Sequence, residues 1–150
     1  MSPASGPAQR NWHVARRASA WSVGTLLTAL ACFSGDPVSG PLPDECRTLA
    51  LEAGVNPDTE GVEVVGIQGF AFVPAEIRIA PGTEVVWVNC EPANTPGSDH
   101  TTTSDTGELW DSGLLTRGEL YRRDFDEEGS FGYHCTPHPF MVGRVSVVSP

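Results

Sequence analysis

Short runs in which apolar and polar positions alternate, separated by turn residues, dominate residues 62–148. In the run 76–80, Ile77 and Ile79 fall on one face, and Pro81-Gly82 ends the run. A period of two is typical of half-buried β-strands, and the compact apolar run 84–89 is typical of a buried strand. The pattern predicts strands over 62–67, 76–80, 84–89, 100–104, 119–125, 130–135 and 142–148. Several short strands at this spacing favour an all-β Greek-key sandwich or barrel over a βαβ fold.

The first 61 residues have a different pattern. A basic stretch over 10–17 precedes an apolar stretch over 18–33 that is too short and interrupted for a secure membrane-spanning helix. Residues 1–31 are therefore predicted to be an export signal. Residues 32–61 are predicted to be a linker with a short helix over 44–53, which Asp44 caps and Gly54 ends. The strand-rich domain is predicted to occupy 62–150.

Cys32 follows Ala29-Leu30-Ala31, an A-x-A-like processing site. Two interpretations are open. The arrangement resembles a bacterial lipoprotein signal with Cys32 as the lipidated first residue, and ordinary cleavage would instead leave Cys32 as a spare thiol. Both predict an exported protein, in the periplasm or on the outer face of a membrane.

The net charge of the chain limits the classes of macromolecule that it can bind. The chain has 150 residues, no Lys and a formal net charge of −10. Residues 1–31 hold three of the nine basic residues and no acidic one, so the remainder carries six Arg against 19 Asp and Glu, a net charge of −13. Such a surface excludes nucleic acid as a partner, because phosphates repel it. It can be steered toward basic proteins, and that attraction weakens with salt.

A C-x2-H-x2-M motif lies between the last two predicted strands. Cys135, His138 and Met141 offer a thiolate, an imidazole and a thioether, and His100 begins an earlier strand. Two imidazoles and a thiolate with a weak axial thioether are the ligands of electron-transfer copper sites, because soft sulfur suits Cu(I) and imidazole suits both oxidation states. The motif therefore predicts one copper ion of type 1, the blue copper class.

A wider set of motifs supports this prediction through a family resemblance. The motifs are Phe72-x-Pro74, Ile77-x-Ile79-x-x-Gly82, Val85-x-Trp87-x-Asn89, His100-Thr101, Asp111-Ser112-Gly113 and Tyr133-x-Cys135-x-x-His138-x-x-Met141-x-Gly143. They resemble the plastocyanin/azurin family of cupredoxins, and the ligand loop is most similar to that of the amicyanins. The resemblance implies a cupredoxin-like Greek-key β-sandwich of about eight strands. It also implies that His100, Cys135 and His138 are equatorial copper ligands and that Met141 is the axial ligand.

The residues beside the motif include departures from the family pattern. Many members have Asn after the first ligand His, where it ties the two ligand loops together, whereas this chain has Thr101. Thr101, Thr136 and Pro137 are the predicted supporting residues of the site, and Pro137 is expected to stiffen the loop. The loop 91–99 is longer than usual for the family. His134 is predicted to point away from the ligands, because neighbouring strand residues face opposite sides.

Cysteine usage predicts one disulfide. If Cys32 is lipidated and Cys135 binds metal, Cys46 and Cys90 remain, and an exported compartment favours their pairing. Such a bond would tie the N-terminal extension to the domain.

The predicted function is a monomeric single-electron carrier and not an enzyme, with electrons leaving through His138. Redox proteins such as a c-type cytochrome or a membrane oxidase are the expected partners by class. The main alternative is a copper storage or delivery protein, which needs an exchangeable and often Met-rich site, whereas only Met1 and Met141 occur here. A structural zinc site is a second alternative. Its ligands would be Cys90, His100, Cys135 and His138.

Overall fold

The computed structural model describes residues 40–150. The predicted export signal, Cys32 and the first part of the predicted linker lie outside the described residues. Within residues 40–150, no helix is long and apolar enough to cross a membrane.

Two packed sheets form the body of the molecule. The helix α1 is Asp44–Glu52, and the strands are β1 Val62–Ile67, β2 Phe72–Val73, β3 Glu76–Ile79, β4 Thr83–Asn89, β5 Thr103–Ser104, β6 Leu120–Phe125, β7 Gly129–His134 and β8 Val142–Val147. The sheet orders are β2-β1-β4-β6 and β3-β8-β7-β5. β1 pairs with β4 in parallel, as β3 does with β8, and the other strand pairs are antiparallel. The predicted eight-stranded all-β sandwich is confirmed.

The main core lies between the sheets. Trp87 and Tyr133 are fully buried, come from opposite sheets, and meet edge to face with ring centroids 5.4 Å apart. Gly143 is the register partner of Tyr133, and a Cβ at this position would overlap the tyrosine ring. The glycine is therefore required for β8 to pass beside this aromatic residue, because packed interiors leave no spare volume.

α1 covers the outer face of the first sheet. Val64, Val86 and Val88 belong to a second buried cluster, which α1 completes with Cys46 and Ala50. β4 is thus buried on both faces, which explains why its sequence is a compact apolar run and not an alternating one. The described part of the predicted linker therefore packs as part of the fold.

A disulfide joins Cys46 in α1 to Cys90, the residue after β4. Gly66 on β1 makes room for it, since a Cβ there would overlap the Cys46 sulfur.

The start of α1 differs from the prediction. Asp44 is the first helical residue and not the cap; Pro43 occupies the cap position, and no side chain caps the helix. The reason is that the first turn closes one residue earlier, with the Arg47 N–H donating to the Pro43 carbonyl at 2.9 Å.

Two strand ends near the predicted metal site also differ. The predicted strand 100–104 is reduced to β5, because His100 forms only an isolated bridge with Leu115. Cys135 lies beyond β7, because its N–H donates to the Met141 carbonyl within the following loop. The two-residue strand β2 was not predicted, since so short a run shows no period.

Candidate metal centre

The predicted metal ligands come from separate segments at one end of the sandwich. His100 precedes β5, and its backbone exchanges two hydrogen bonds with Leu115, at 3.2 and 2.7 Å. Cys135 directly follows β7, and His138 and Met141 lie between it and β8. The sheet pairing of β5 with β7 brings these two segments side by side.

Three donor atoms converge at this end. The Nδ1 atoms of His100 and His138 are 3.2 Å apart, and each lies 3.6 Å from Cys135 Sγ. Protein ligands sit about 2.0–2.3 Å from a bound first-row metal ion, so donors that share an ion are roughly 3–4 Å apart. The three atoms therefore have the separations of ligands to one ion. His100 and Cys135 are fully buried, whereas His138 is partly exposed.

The ligand loop is closed by its own backbone. The Cys135 N–H donates to the Met141 carbonyl at 3.0 Å, the His138 N–H to the Cys135 carbonyl at 3.1 Å, and the Met141 N–H to the His138 carbonyl at 2.8 Å. Pro137 and Pro139 have no N–H that would need a partner. Met141 is 2% exposed and belongs to the same buried cluster as Cys135.

Threonine hydroxyls tie the two ligand segments together. Thr101 Oγ1 accepts the Thr136 N–H at 2.8 Å, and the Thr103 hydroxyl lies 2.9 Å from Thr101 Oγ1 and 3.0 Å from Thr136 Oγ1. The Thr101 N–H also points at Cys135 Sγ, at 3.4 Å. Thr101 thus provides the link between loops for which many cupredoxins use Asn.

Glu91 is a buried carboxylate that faces the other side of the His100 ring. Its Oε1 accepts the Phe70 N–H at 2.6 Å and lies 3.3 Å from His100 Nε2. The contact does not meet hydrogen-bond geometry, and Nε2 has no hydrogen-bond partner among residues 40–150. Burial lowers the pKa of His100, and Glu91 partly offsets that effect. The carboxylate thus lies against Nε2, and the other ring nitrogen, Nδ1, faces the Cys135 sulfur.

Sequence reasoning missed Glu91 and Phe70. A signal for Glu91 was available from strand geometry, because positions 85, 87, 89 and 91 of an extended chain fall on the same side as the core residues Val85 and Trp87. No comparable signal exists for Phe70, a loop residue whose ring packs edge-on against those of His100 and His138, with centroids 5.3 and 5.0 Å away.

Comparison with known proteins decides the family. Residues 60–148 match the copper binding proteins of the plastocyanin/azurin family. The chain belongs to the plastocyanin/azurin family. It is 35% identical to amicyanin of Paracoccus denitrificans over 107 residues, which are 71% of this chain and 76% of that protein. It is also 35% identical to amicyanin-alpha of Methylorubrum extorquens over 105 residues, 67% of this chain and 87% of that one.

The fold of this chain is also similar to the solved structure of a member of the plastocyanin/azurin family. A reduced mutant of amicyanin matches with a TM-score of 0.52 and 28% sequence identity, over 60% of this chain and 85% of amicyanin. The described fold is therefore the family fold, with α1 lying before the matched residues 60–148.

The donor set fits the copper ion that the plastocyanin/azurin family implies. A buried thiol sulfur and two imidazole nitrogens that face one point suit copper in both oxidation states. The cofactor is thus one type 1 copper ion. The zinc alternative is wrong, because Cys90 is in the disulfide and lacks a thiolate to offer. His134 turns to the opposite face, where its Nδ1 lies 2.6 Å from Asp105 Oδ1.

We expect Thr101→Val to lower the free energy of unfolding of the metal-free protein by about 1–2 kcal/mol, because the Thr136 N–H loses its acceptor. Thr101→Ser keeps the hydroxyl and is the matched control. Urea denaturation of the three proteins measures the difference. Equal stability of the Val and Ser variants would contradict the role given to the hydroxyl.

We expect Glu91→Gln to raise the reduction potential of the copper-loaded protein. The carboxylate beside His100 favours the more positively charged oxidised form, and charges several ångströms apart in a partly buried site interact by about 1–2 kcal/mol, or tens of millivolts. Asp99→Asn is the control, because Asp99 is an exposed carboxylate next to the same ligand. Voltammetry that shows an unchanged or lower potential for Glu91→Gln would refute this.

Proposed function

We propose that this protein is a single-electron carrier whose type 1 copper ion is held by His100, Cys135, His138 and Met141. The observation that carries the proposal is the convergence of one thiol sulfur and two imidazole Nδ1 atoms within 3.6 Å of one another. Copper, when bound there, supplies a reversible one-electron change between Cu(I) and Cu(II). Met141 completes the set as the weak axial ligand by its place in the family motif.

The chain's own part is to keep the ligands in one arrangement through both oxidation states. The three backbone hydrogen bonds of the ligand loop and the Thr101–Thr136 contact limit how far any donor can move. Small movement favours fast electron exchange, because little reorganisation accompanies each transfer. These restraints also oppose easy metal release, so they support the carrier over the copper storage or delivery alternative.

Electrons are proposed to leave through His138, the partly exposed ligand. Phe140 is 71% exposed, and its ring centroid lies 6.0 Å from that of His138. A Cβ on Gly97 would lie 3.8 Å from His138 Nε2, so the loop 91–99 borders the same edge. Between Pro92 and Ser98 that loop has no charged residue. An uncharged, partly apolar face around a redox centre is suited to brief docking of another redox protein.

The acidic turn 126–128 lies at the opposite end of the sandwich. The turn joins the end of β6, at Phe125, to the start of β7, at Gly129. The ligand segments lie at the other end, because Cys135 follows the end of β7 and the loop that leads to His100 follows Asn89, the end of β4, which runs antiparallel to β6. The negative charge of this turn therefore lies far from the surface around His138.

The partner and location follow as proposals. A redox protein such as a c-type cytochrome or a membrane oxidase is the partner class, and a monomer is the expected state. Residues 1–31 are proposed to export the chain to the periplasm or the outer face of a membrane, with lipidation of Cys32 as the anchoring route. The disulfide between Cys46 and Cys90 supports an oxidising compartment.

The decisive test is the visible spectrum after addition of Cu(II) to the purified protein. We expect an intense thiolate-to-copper band that bleaches on reduction and is absent in Cys135→Ser. His134→Gln is the control and retains the band, because His134 turns away from the ligands. A colourless protein that retains zinc would overturn the proposal.

We expect Phe140→Glu to slow electron self-exchange at least several-fold without changing the visible band. Two copies must bring their His138 faces together to exchange an electron, and the new charges would repel each other there. Leu51→Glu is the matched control, because Leu51 is also exposed but lies on α1. NMR line broadening in mixtures of oxidised and reduced protein measures the rate. Equal slowing by both variants would place the exchange surface elsewhere.

A further inference from the structure

α1 precedes residues 60–148, which match the family model, and it is tied to the chain at Cys90 and Glu91, the two residues that follow β4. The disulfide joins Cys46 of α1 to Cys90. The next residue is Glu91, and Arg117 donates to its backbone carbonyl while pairing with Glu45 of α1. α1 therefore holds Cys90 through the disulfide and Glu91 through the guanidinium of Arg117.

The polar groups of Glu91 are each engaged. Its N–H donates to Asn89 Oδ1 at 3.1 Å, its carbonyl accepts from Arg117, and its carboxylate accepts the Phe70 N–H at 2.6 Å. The same carboxylate lies 3.3 Å from His100 Nε2. Backbone bonds on both sides and the Phe70 N–H on the carboxylate give Glu91 a defined position, and His100 turns its opposite nitrogen toward the metal donors.

The packing around the disulfide leaves α1 little freedom to move. The Cys46 sulfur fills the space that a side chain on Gly66 would occupy, and Gln68 Nε2 donates to the Cys90 carbonyl at 3.2 Å. Movement of α1 would therefore be transmitted to Cys90 and to the backbone of Glu91.

We propose that α1, the Cys46–Cys90 disulfide and Arg117 form a clamp that positions Glu91 and, through it, the copper ligand His100. Arg117 and Glu91 are positioning residues in this arrangement and touch no reacting atom. The clamp rests on the proposed function for its effect on electron transfer. Its effect on Glu91 can be measured without metal.

The metal-free readout is hydrogen exchange of the Phe70 amide, because its acceptor is the Glu91 carboxylate. We expect Arg117→Gln to speed exchange at Phe70 about tenfold or more, while amides of the central strands, such as Val145, keep their rates. Arg47→Gln is the matched control, since Arg47 is on α1 and pairs with Asp58 at 2.9 Å without contact to Glu91. Unchanged exchange at Phe70 in Arg117→Gln, or equal acceleration by Arg47→Gln, would refute the clamp.

The copper-loaded readout is the reduction potential of the double variant Cys46→Ser, Cys90→Ser, which changes no charge. We expect its potential to rise in the direction of Glu91→Gln and its copper to pass several-fold faster to a chelator. A potential and a release rate equal to those of the wild type would overturn the link to His100. If the wild-type protein forms no thiolate-to-copper band, the proposed function fails, while exchange at Phe70 still decides whether α1 positions Glu91.

Discussion

The close approach of three electron-rich atoms is the constraint on which the rest of the structure depends. Cys135 Sγ and the Nδ1 atoms of His100 and His138 lie within 3.6 Å of one another at a largely buried end of the sandwich. The lone pairs of these atoms repel one another unless a cation lies between them. The fold must therefore hold the three atoms together and disfavour protonation of the two imidazole nitrogens. Burial of His100 serves the second need by lowering its pKa.

Support for this cluster comes in two layers of different origin. The inner layer belongs to the sandwich: Thr101 Oγ1 joins the two ligand segments, and the ligand loop closes on itself between Cys135 and Met141. The outer layer comes from α1, which reaches Glu91 through the disulfide and Arg117. The inner layer fixes where the donors lie, and the outer one fixes the charge beside a ligand.

The distribution of charge fits a carrier that docks by its neutral end. Acidic residues gather where β6 turns into β7, far from His138, while residues 92–98, which include no charged side chain, and the exposed Phe140 lie beside the ligand. Long-range attraction would therefore draw a basic partner toward the end of the sandwich opposite the copper site. For the proposed docking at the His138 face, apolar surface at close range matters more than charge steering, because screened charges lose influence beyond about 10 Å.

The local features of this protein can be predicted from its sequence. Alternating or compact apolar runs between turn residues predicted seven of the eight strands to within a few residues, and the spacing from Cys135 to Met141 predicted the copper motif. Both signals depend on near neighbours in the chain. Tertiary structure alone decided that α1 covers β4, that Thr101 replaces Asn between the loops, and that Glu91 faces His100. These contacts join segments that are separated in sequence. The alternation along β4 indicates that position 91 faces inward, but it does not indicate which residue Glu91 meets there.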